Sequence, residues 1–368
     1  MSEVTDRLHY GDSNRITVAI NNTLTSATIP QGYVHYYDDP TRYPKGYFTQ
    51  SLDFDFTNYA GIHRHVHLYT TPATYVHDVT INTDIMGDKG LIQYAITPGS
   101  ADTGPHRSED FQCSFKVYDP RGTYVGTANG CEGIIAASDE FLWWPYLMSD
   151  TPGQLFTVWV SVRDKQDKKG TWDHYPQKVG IRVMGWNATT LTINGVPLYL
   201  KGMGKHEDSD IRGKGLDYPL IVKDFSLLKW LGANSFRTSH YPYAEEIMDM
   251  ADQEGIMVVD ESPAVGLSGF GEALMAKHIG VMQELVRRDK NRPSVIMWSV
   301  GNEPKSQEAP AAEYFKSVLS RLHTRGFFPR GLEINEVQRG LHTLATRLNS
   351  RTSMNGRVHC QPARRQAV

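Results

Sequence analysis

Val295-Ile296-Met297-Trp298-Ser299-Val300-Gly301-Asn302-Glu303 runs from an apolar stretch into a polar end, and that junction decides how the second half of the chain is built. Four apolar residues in a row read as a buried strand. Asn302 and Glu303 then stand at its carboxyl end. Upstream, Met275, Ile279, Met282 and Val286 fall at helical spacing and stop before the Pro293 break. The same grammar repeats further back. A helix opens at Pro219, a favourable first position, carries Ile221, Phe225 and Leu228 on one face and stops at Gly232, before the strand Asn234-Ser235-Phe236-Arg237. Another runs from Ala244 to Glu254, stops at Gly255 and yields the strand Ile256-Met257-Val258-Val259. With Leu198-Tyr199-Leu200 in front and a fourth helix over Ala311 to Arg325, this predicts four parallel strands separated by helices.

Each of these strands ends in polar residues: Lys205-His206-Glu207-Asp208, Arg237-Thr238-Ser239-His240, Asp260-Glu261 and Asn302-Glu303. Polar groups at the carboxyl ends of successive parallel strands are where a (β/α)8 barrel places its chemistry, and an open doubly wound sheet does the same. The barrel is favoured because no glycine-rich phosphate loop follows the first strand. A closed barrel takes roughly 250 residues. About 175 follow residue 190. Four strands are therefore expected, with open apolar edges that are a liability for solubility.

Before residue 190 the period is two. Ile16, Val18 and Ile20 alternate with polar residues, Ile62, Val66 and Leu68 follow, and Phe156-Thr157-Val158-Trp159-Val160 comes later. Turn clusters such as Tyr43-Pro44-Lys45-Gly46 and Asp119-Pro120-Arg121-Gly122 punctuate the pattern. Two antiparallel sandwiches are expected, dividing near residues 72–78.

The 368 residues suffice for two to three domains. Thirty-eight Lys+Arg against 41 Asp+Glu leave a net charge of −3, and no basic block precedes the last dozen residues, which argues against a nucleic-acid partner. No 18-residue apolar run exists, so no membrane-spanning helix is expected, and the first residues lack the apolar core of a signal peptide. Three dispersed cysteines, Cys113, Cys131 and Cys360, exclude a disulfide scaffold and a thiolate zinc site.

Glu303 is the leading chemical candidate: a carboxylate at the barrel mouth, shielded by Trp298 and its neighbours, would suit a general acid with a raised pKa. A solvated glutamate before Pro304 is the structural alternative. Asn302 beside it can hydrogen-bond a substrate hydroxyl. His206 and His240, at the ends of the first two strands, are read as substrate-lining. Glu261, Glu207 and Asp208 are better read as ion-pair partners of Arg212, Lys214 or Arg237. His63, His65 and His67 alternate, with side chains about 7 Å apart on a strand face, yet a solvated polar face is the better reading than a metal site. Trp143-Trp144-Pro145-Tyr146 is read as packing more than as a sugar platform. Asn21 and Asn187 open glycosylation sequons.

Two long stretches, Asn234 to Pro242 and Asp289 to Glu303, resemble the two signatures of glycoside hydrolase family two. Tyr43-Pro44-Lys45-Gly46-Tyr47-Phe48, Phe56 to Gly61 and Lys205 to Gly215 look like its β-glucuronidase branch, not its β-galactosidases or β-mannosidases. The resemblance covers residues from about 14 to about 325. It implies a partial jelly roll over residues 1–75, an immunoglobulin-like β-sandwich over 76–190, the first half of a TIM barrel over 191–325, and an unrelated, disordered tail over 326–368. It also implies retaining hydrolysis of β-D-glucuronosides, glycosaminoglycan ends included, with no metal or other cofactor. Glu303 matches the family's acid/base, Asn302 a neighbour that contacts the sugar, and Asp55 an acidic residue reaching the sugar site from the jelly roll. Family members of the vertebrate type are lysosomal, glycosylated homotetramers, and Asn21 matches one glycosylation position.

The chain is expected to begin inside the jelly roll and to stop before the later barrel strand on which the family carries its nucleophile. Glu333 and Glu336 are not expected to replace that glutamate, so activity of this chain is expected to be absent or severely impaired. The alternative from another class is a non-catalytic polypeptide that associates with full-length subunits through its sandwiches.

Overall fold

The computed structural model describes residues 4–101, 108–167 and 170–323. The expected tail over 326–368, with Glu333 and Glu336, lies outside the described residues.

Residues 4–73 supply one antiparallel hairpin, β1 (Gly32–Tyr36) on β2 (Phe48–Leu52). Ile16, Val18, Ile20, Ile62, Val66 and Leu68 are exposed and lie outside any strand, against the alternation read from the sequence. Alternation marks a face that could be buried, but a strand also needs a partner for its backbone donors and acceptors. Among the described residues no ladder pairs with 14–23 or 57–70. His63, His65 and His67 therefore share no strand face: His63 packs edge-on to Tyr59, while His65 and His67 are exposed with tilted rings 5.7 Å apart, in keeping with a solvated or packed polar surface.

The next unit is a sandwich of two antiparallel sheets. One holds β3 (Thr74–Met86), β4 (Lys89–Ser100) and β7 (Glu132–Ser138); the other has the order β6 (Tyr124–Asn129), β5 (Phe111–Tyr118), β8 (Phe156–Asp164) and β9 (Asp173–Val179). Phe156, Val158, Val160 and Val162 alternate along β8 and are wholly buried, and Tyr94 stacks on Phe115 across the sheets at 4.1 Å. This is the face that period-two patterning dictates. A disulfide joins Cys113 to Cys131, eighteen residues on, a link that the dispersed spacing did not announce.

A three-stranded antiparallel sheet, β10 (Met184–Trp186), β11 (Leu191–Ile193) and β12 (Val196–Leu198), leads into the parallel sheet. That sheet has the order β13 (Gly202–Lys205), β14 (Ser235–Thr238), β15 (Met257–Glu261) and β16 (Val295–Ser299), with α1 (Tyr218–Trp230), α2 (Glu245–Glu254) and α3 (Glu272–Asp289) between strands and α4 (Ala311–His323) after them. One strand is corrected: Leu198 closes β12, and the first parallel strand is Gly202–Lys205. The apolar run drew the assignment to 198–200, whereas two glycines hid the real strand. Gly202 sits against Ser235, where an added Cβ would come within 2.5 Å of its Oγ. Only glycine allows that approach.

The helices follow their punctuation. Asp217 caps α1 by accepting from the Leu220 amide, and Gly255 closes α2 in the left-handed region at φ 69°. Ile221, Phe225 and Leu228 from α1 and Ile247, Met248 and Ala251 from α2 bury against Phe236 and Val258. No helix among the described residues is long and apolar enough to cross a membrane.

Sandwich and half-barrel are fastened at one turn. Lys290 Nζ donates to Asp78 Oδ2 at 2.7 Å and Thr80 Oγ1 at 2.9 Å. The Asn291 amide accepts from Ile81 N and donates to Val79 O, each at 2.9 Å, as another strand would. From the other side, Arg182 reaches the carbonyls of Pro293 at 2.5 Å and Val295 at 2.6 Å. Trp143 is fully buried and donates to the Asp252 carbonyl at 2.8 Å, so the Trp143-Trp144 pair packs the junction.

At the far end of β16 a buried histidine holds the chain. His278 Nε2 donates to the Val300 carbonyl at 2.7 Å, which leaves Nδ1 to accept from the Tyr314 hydroxyl at 3.0 Å. Burial lowers its pKa to about 4. The unfolded chain therefore takes up this proton near pH 6.5 while the folded chain resists it down to about 4. His278 contributes fully above pH 6.5, and the contribution is lost as pH falls through that window, by about 3 kcal/mol in all. Denaturant unfolding between pH 7.5 and 4 is expected to show this extra loss in the parent chain relative to His278→Gln. Equal pH slopes in the two proteins would contradict it.

Candidate active site

The carboxyl ends of the parallel strands and one loop from the N-terminal segment meet at one place. Gln31, buried at 4% exposure, ties that segment down: its amide donates to Ser268 O at 3.0 Å and accepts from Ser268 N at 2.9 Å. Phe56 packs on Tyr241 with ring centroids 4.9 Å apart, and Arg64 pairs with Glu207 at 2.8 Å. These anchors carry Asp55 over the barrel mouth. Asp55 Oδ1 stands 3.2 Å from His240 Nδ1 and 3.8 Å from His206 Nε2. Three residues far apart in sequence, all singled out there, are thus brought together.

His240 is also reached by the Arg237 guanidinium, with Nη2 3.4 Å from Nε2. Burial lowers the His240 pKa; Asp55 opposes that most strongly, Arg237 and His206 add to it, and the Glu303 charge opposes it. His206 Nδ1 lies 3.2 Å from the Tyr241 hydroxyl. Lys214 sits over the Tyr241 ring at 3.3 Å, and burial lowers its pKa, with Glu207 and Asp208 opposing.

Asn302 is buried at 6% exposure, and its backbone is pinned twice: its amide donates to Ala264 O at 2.9 Å and its carbonyl accepts from Gly266 N at 3.0 Å. Glu303 follows in the left-handed region, at φ 46°. A side-chain-bearing residue held there costs of order 1–3 kcal/mol unless its surroundings impose it, and such residues cluster at functional sites. Shielding by Trp298 was expected from the sequence, but Glu303 is exposed.

The shielded carboxylate is Glu261. Fully buried, it accepts from the Ser299 hydroxyl at 2.7 Å and faces Arg237 Nη1 at 3.6 Å, while its Oε1 has no hydrogen-bond partner. Burial raises its pKa, with Arg237 and Ser299 pulling it back. Its neighbour Asp260 points to the opposite face, where Thr238 donates to it at 3.2 Å. Arg237 thus bridges Glu261 and His240, a role the sequence reading reduced to that of a possible ion-pair partner. Its place at the end of a parallel strand was the available signal. Glu207 is structural: besides Arg64 it accepts from the Ala244 amide at 2.8 Å, capping α2. Arg212 pairs with Asp217 at 2.8 Å, and Lys205 with Asp224 at 3.0 Å.

The family model of glycosyl hydrolases family 2, TIM barrel domain, matches residues 186–325. Residues 186–325 are thus similar to the barrel domain of glycosyl hydrolase family 2. Over 318 residues the chain is 48% identical to the β-glucuronidase of Rattus norvegicus, covering 86% of this chain and 47% of that relative. It is 46% identical to the β-glucuronidase of Homo sapiens over 318 residues, again 86% of this chain and 48% of the relative. The chain spans about half the length of the curated relatives it matches. Among solved structures, the β-D-glucuronidase of Dictyoglomus thermophilum superposes with a TM-score of 0.76 at 38% identity, covering 88% of this chain and 55% of that one. The Ruminococcus gnavus β-glucuronidase in complex with D-glucaro-δ-lactam gives 0.72 at 35% identity, covering 84% and 50%. The fold is thus the multidomain one expected: partial jelly roll, immunoglobulin-like sandwich and half of a TIM barrel.

The bridge through Arg237 is testable by stability. Arg237→Met leaves Glu261 facing no cation and is expected to cost about 2 kcal/mol in denaturant unfolding, since a buried carboxylate that loses its partner stays desolvated. Adding Glu261→Gln should recover at least half of that loss. A double variant no more stable than Arg237→Met would show that Glu261 does not depend on Arg237.

Proposed function

We propose that this chain forms the acid half of a β-glucuronoside-hydrolysing site, with Glu303 as the proton donor to the leaving group. The observation that carries the reading is the placement of Glu303: an exposed carboxylate in a left-handed turn, next to a doubly pinned Asn302, with its charge felt at His240. Exposure gives a leaving-group oxygen access to the carboxyl. Asn302, His206, His240 and Asp55 would hold the hydroxyls of the sugar, and Arg237 fixes His240 at its rear. In a retaining glycosidase the second carboxylate stands about 5–5.5 Å from the acid and attacks the anomeric carbon. No residue of this chain is assigned that role. Acid catalysis with direct attack by water remains open to it, at a much lower rate.

The substrate class follows from the relatives: β-D-glucuronosides, glycosaminoglycan ends among them. The proposed setting is the lysosome, reached by the secretory route. The Cys113–Cys131 disulfide fits an oxidising compartment. So do the sequons, since Asn21 and Asn187 are both exposed. Asn187 closes a turn through its Oδ1, which accepts from Thr189 N at 2.9 Å and Thr190 N at 2.8 Å. A homotetramer is proposed on the same footing as the substrate. The boundaries near residues 75, 190 and 325 are likewise proposed as the limits of the units.

Purified chain should release fluorophore from a fluorogenic β-D-glucuronide at least about 10³-fold more slowly than a full-length relative, and Glu303→Gln should abolish what remains. Turnover within tenfold of the full-length enzyme would mean that a second carboxylate is in place. Turnover unchanged by Glu303→Gln would remove Glu303 from the reaction.

A further inference from the structure

The cluster of Asp55, His206 and His240 has donors of a kind that sugar recognition does not require. One ligand-type atom from each lies within 4.8 Å of the others, the one such trio among the described residues. Two aromatic nitrogens and a carboxylate oxygen are a common zinc ligand set. In a tetrahedral zinc site with bonds of about 2.0–2.1 Å, neighbouring ligand atoms stand about 3.3–3.5 Å apart. The distances from Asp55 Oδ1, 3.2 Å to His240 Nδ1 and 3.8 Å to His206 Nε2, already approach that spacing.

Among the described residues, none hydrogen-bonds the His240 nitrogen that faces Asp55. His240 Nδ1 is buried without a hydrogen-bond partner, because its approach to Asp55 lacks hydrogen-bonding geometry. His206 Nε2 is too far from the carboxylate for a hydrogen bond, while its Nδ1 is engaged by the Tyr241 hydroxyl at 3.2 Å. That outer contact orients the ring with Nε2 aimed inward, as the partners behind metal-bound histidines do. Asp55 closes the trio from the solvent side with its side chain 70% exposed, leaving a path for an ion and for water. Arg237 works against the site: its guanidinium can only donate, so at 3.4 Å it makes His240 Nε2 the acceptor and leaves the ring proton on Nδ1, which zinc has to displace along with that contact. Its charge favours a weak, reversible ion over a permanent one.

We propose that Asp55 Oδ1, His206 Nε2 and His240 Nδ1 bind one zinc ion, with water completing the coordination, and that the bound ion excludes the sugar from the same place. Zinc is here an inhibitor, not a cofactor. The exclusion rests on the glucuronoside reading of the site; the metal binding does not.

Isothermal titration of the metal-stripped chain with zinc chloride in a non-coordinating buffer tests both parts. One ion per chain with a micromolar Kd is expected, weakened at least about tenfold in Asp55→Asn and in His206→Gln. The exposure of Asp55 makes its substitution harmless to folding, and an unchanged melting temperature verifies this. No binding below 100 μM zinc, or binding equal in the parent and both variants, would overturn the site. So would a response confined to His65→Gln, which would place the ion on the His65–His67 pair. Saturating D-glucuronic acid should then raise the apparent Kd for zinc severalfold. Variant-sensitive zinc binding that ignores D-glucuronic acid would uphold the metal site and overturn the sugar reading instead.

Discussion

The turn from Asp289 to Val295 is the joint on which the rest of this structure depends. Arg292 Nε pairs with the fully buried Asp289 at 2.8 Å, and its Nη1 reaches Asp249 at 2.7 Å and Asp252 at 3.0 Å. Asp252 in turn accepts from the Ser294 amide at 3.0 Å. On the sandwich side, Lys290, Asn291 and Arg182 complete the clamp. Burial lowers the Arg182 pKa to about 10, with Asp252 opposing. A charge so enclosed is stable only while its carbonyl partners stay in place. The start of β16 is thereby fixed against the sandwich, and its other end, held by His278, delivers Asn302 and Glu303.

That arrangement accounts for two kinds of signature residue. Asn291 and Arg292 touch no part of the barrel mouth; they secure the frame. Asn302 and Glu303 occupy the mouth, ten and eleven residues beyond Arg292. Between them lies one strand, so an error in the frame would pass directly into the site. Asp55 depends on a second attachment, through Gln31, Phe56 and Arg64, and so belongs to a separate anchor.

How much of this was legible in the sequence varied with the physical cause. Helical spacing, a first-turn proline and glycine stops located α1 and α2 within a residue or two, and spacing before a proline break located α3, because those signals are local. Carboxyl-end polarity likewise pointed to His206, His240 and Asn302. The misreadings share a reason: they concerned partners distant in the chain. Ile16, Val18 and Ile20 alternate correctly yet pair with nothing described. Gly202-Met203-Gly204 looks like a loop, but Gly202 lies close against Ser235 and Gly204 against Ser239. Cys113 and Cys131 meet because β5 and the turn before β7 are adjacent in the sandwich. The left-handed backbone of Glu303 is encoded by no residue pattern, and the partnership of Arg237 with both His240 and Glu261 needs two strand ends in register.

The most direct measurement is a crystal structure of the Glu303→Gln chain soaked with a non-hydrolysable β-D-glucuronide analogue. The account predicts the sugar ring between the Asp55–His206–His240 trio and residue 303, with the glycosidic oxygen within hydrogen-bond distance of the introduced amide. A sugar bound elsewhere on the chain, or one whose glycosidic oxygen points away from residue 303, would contradict it.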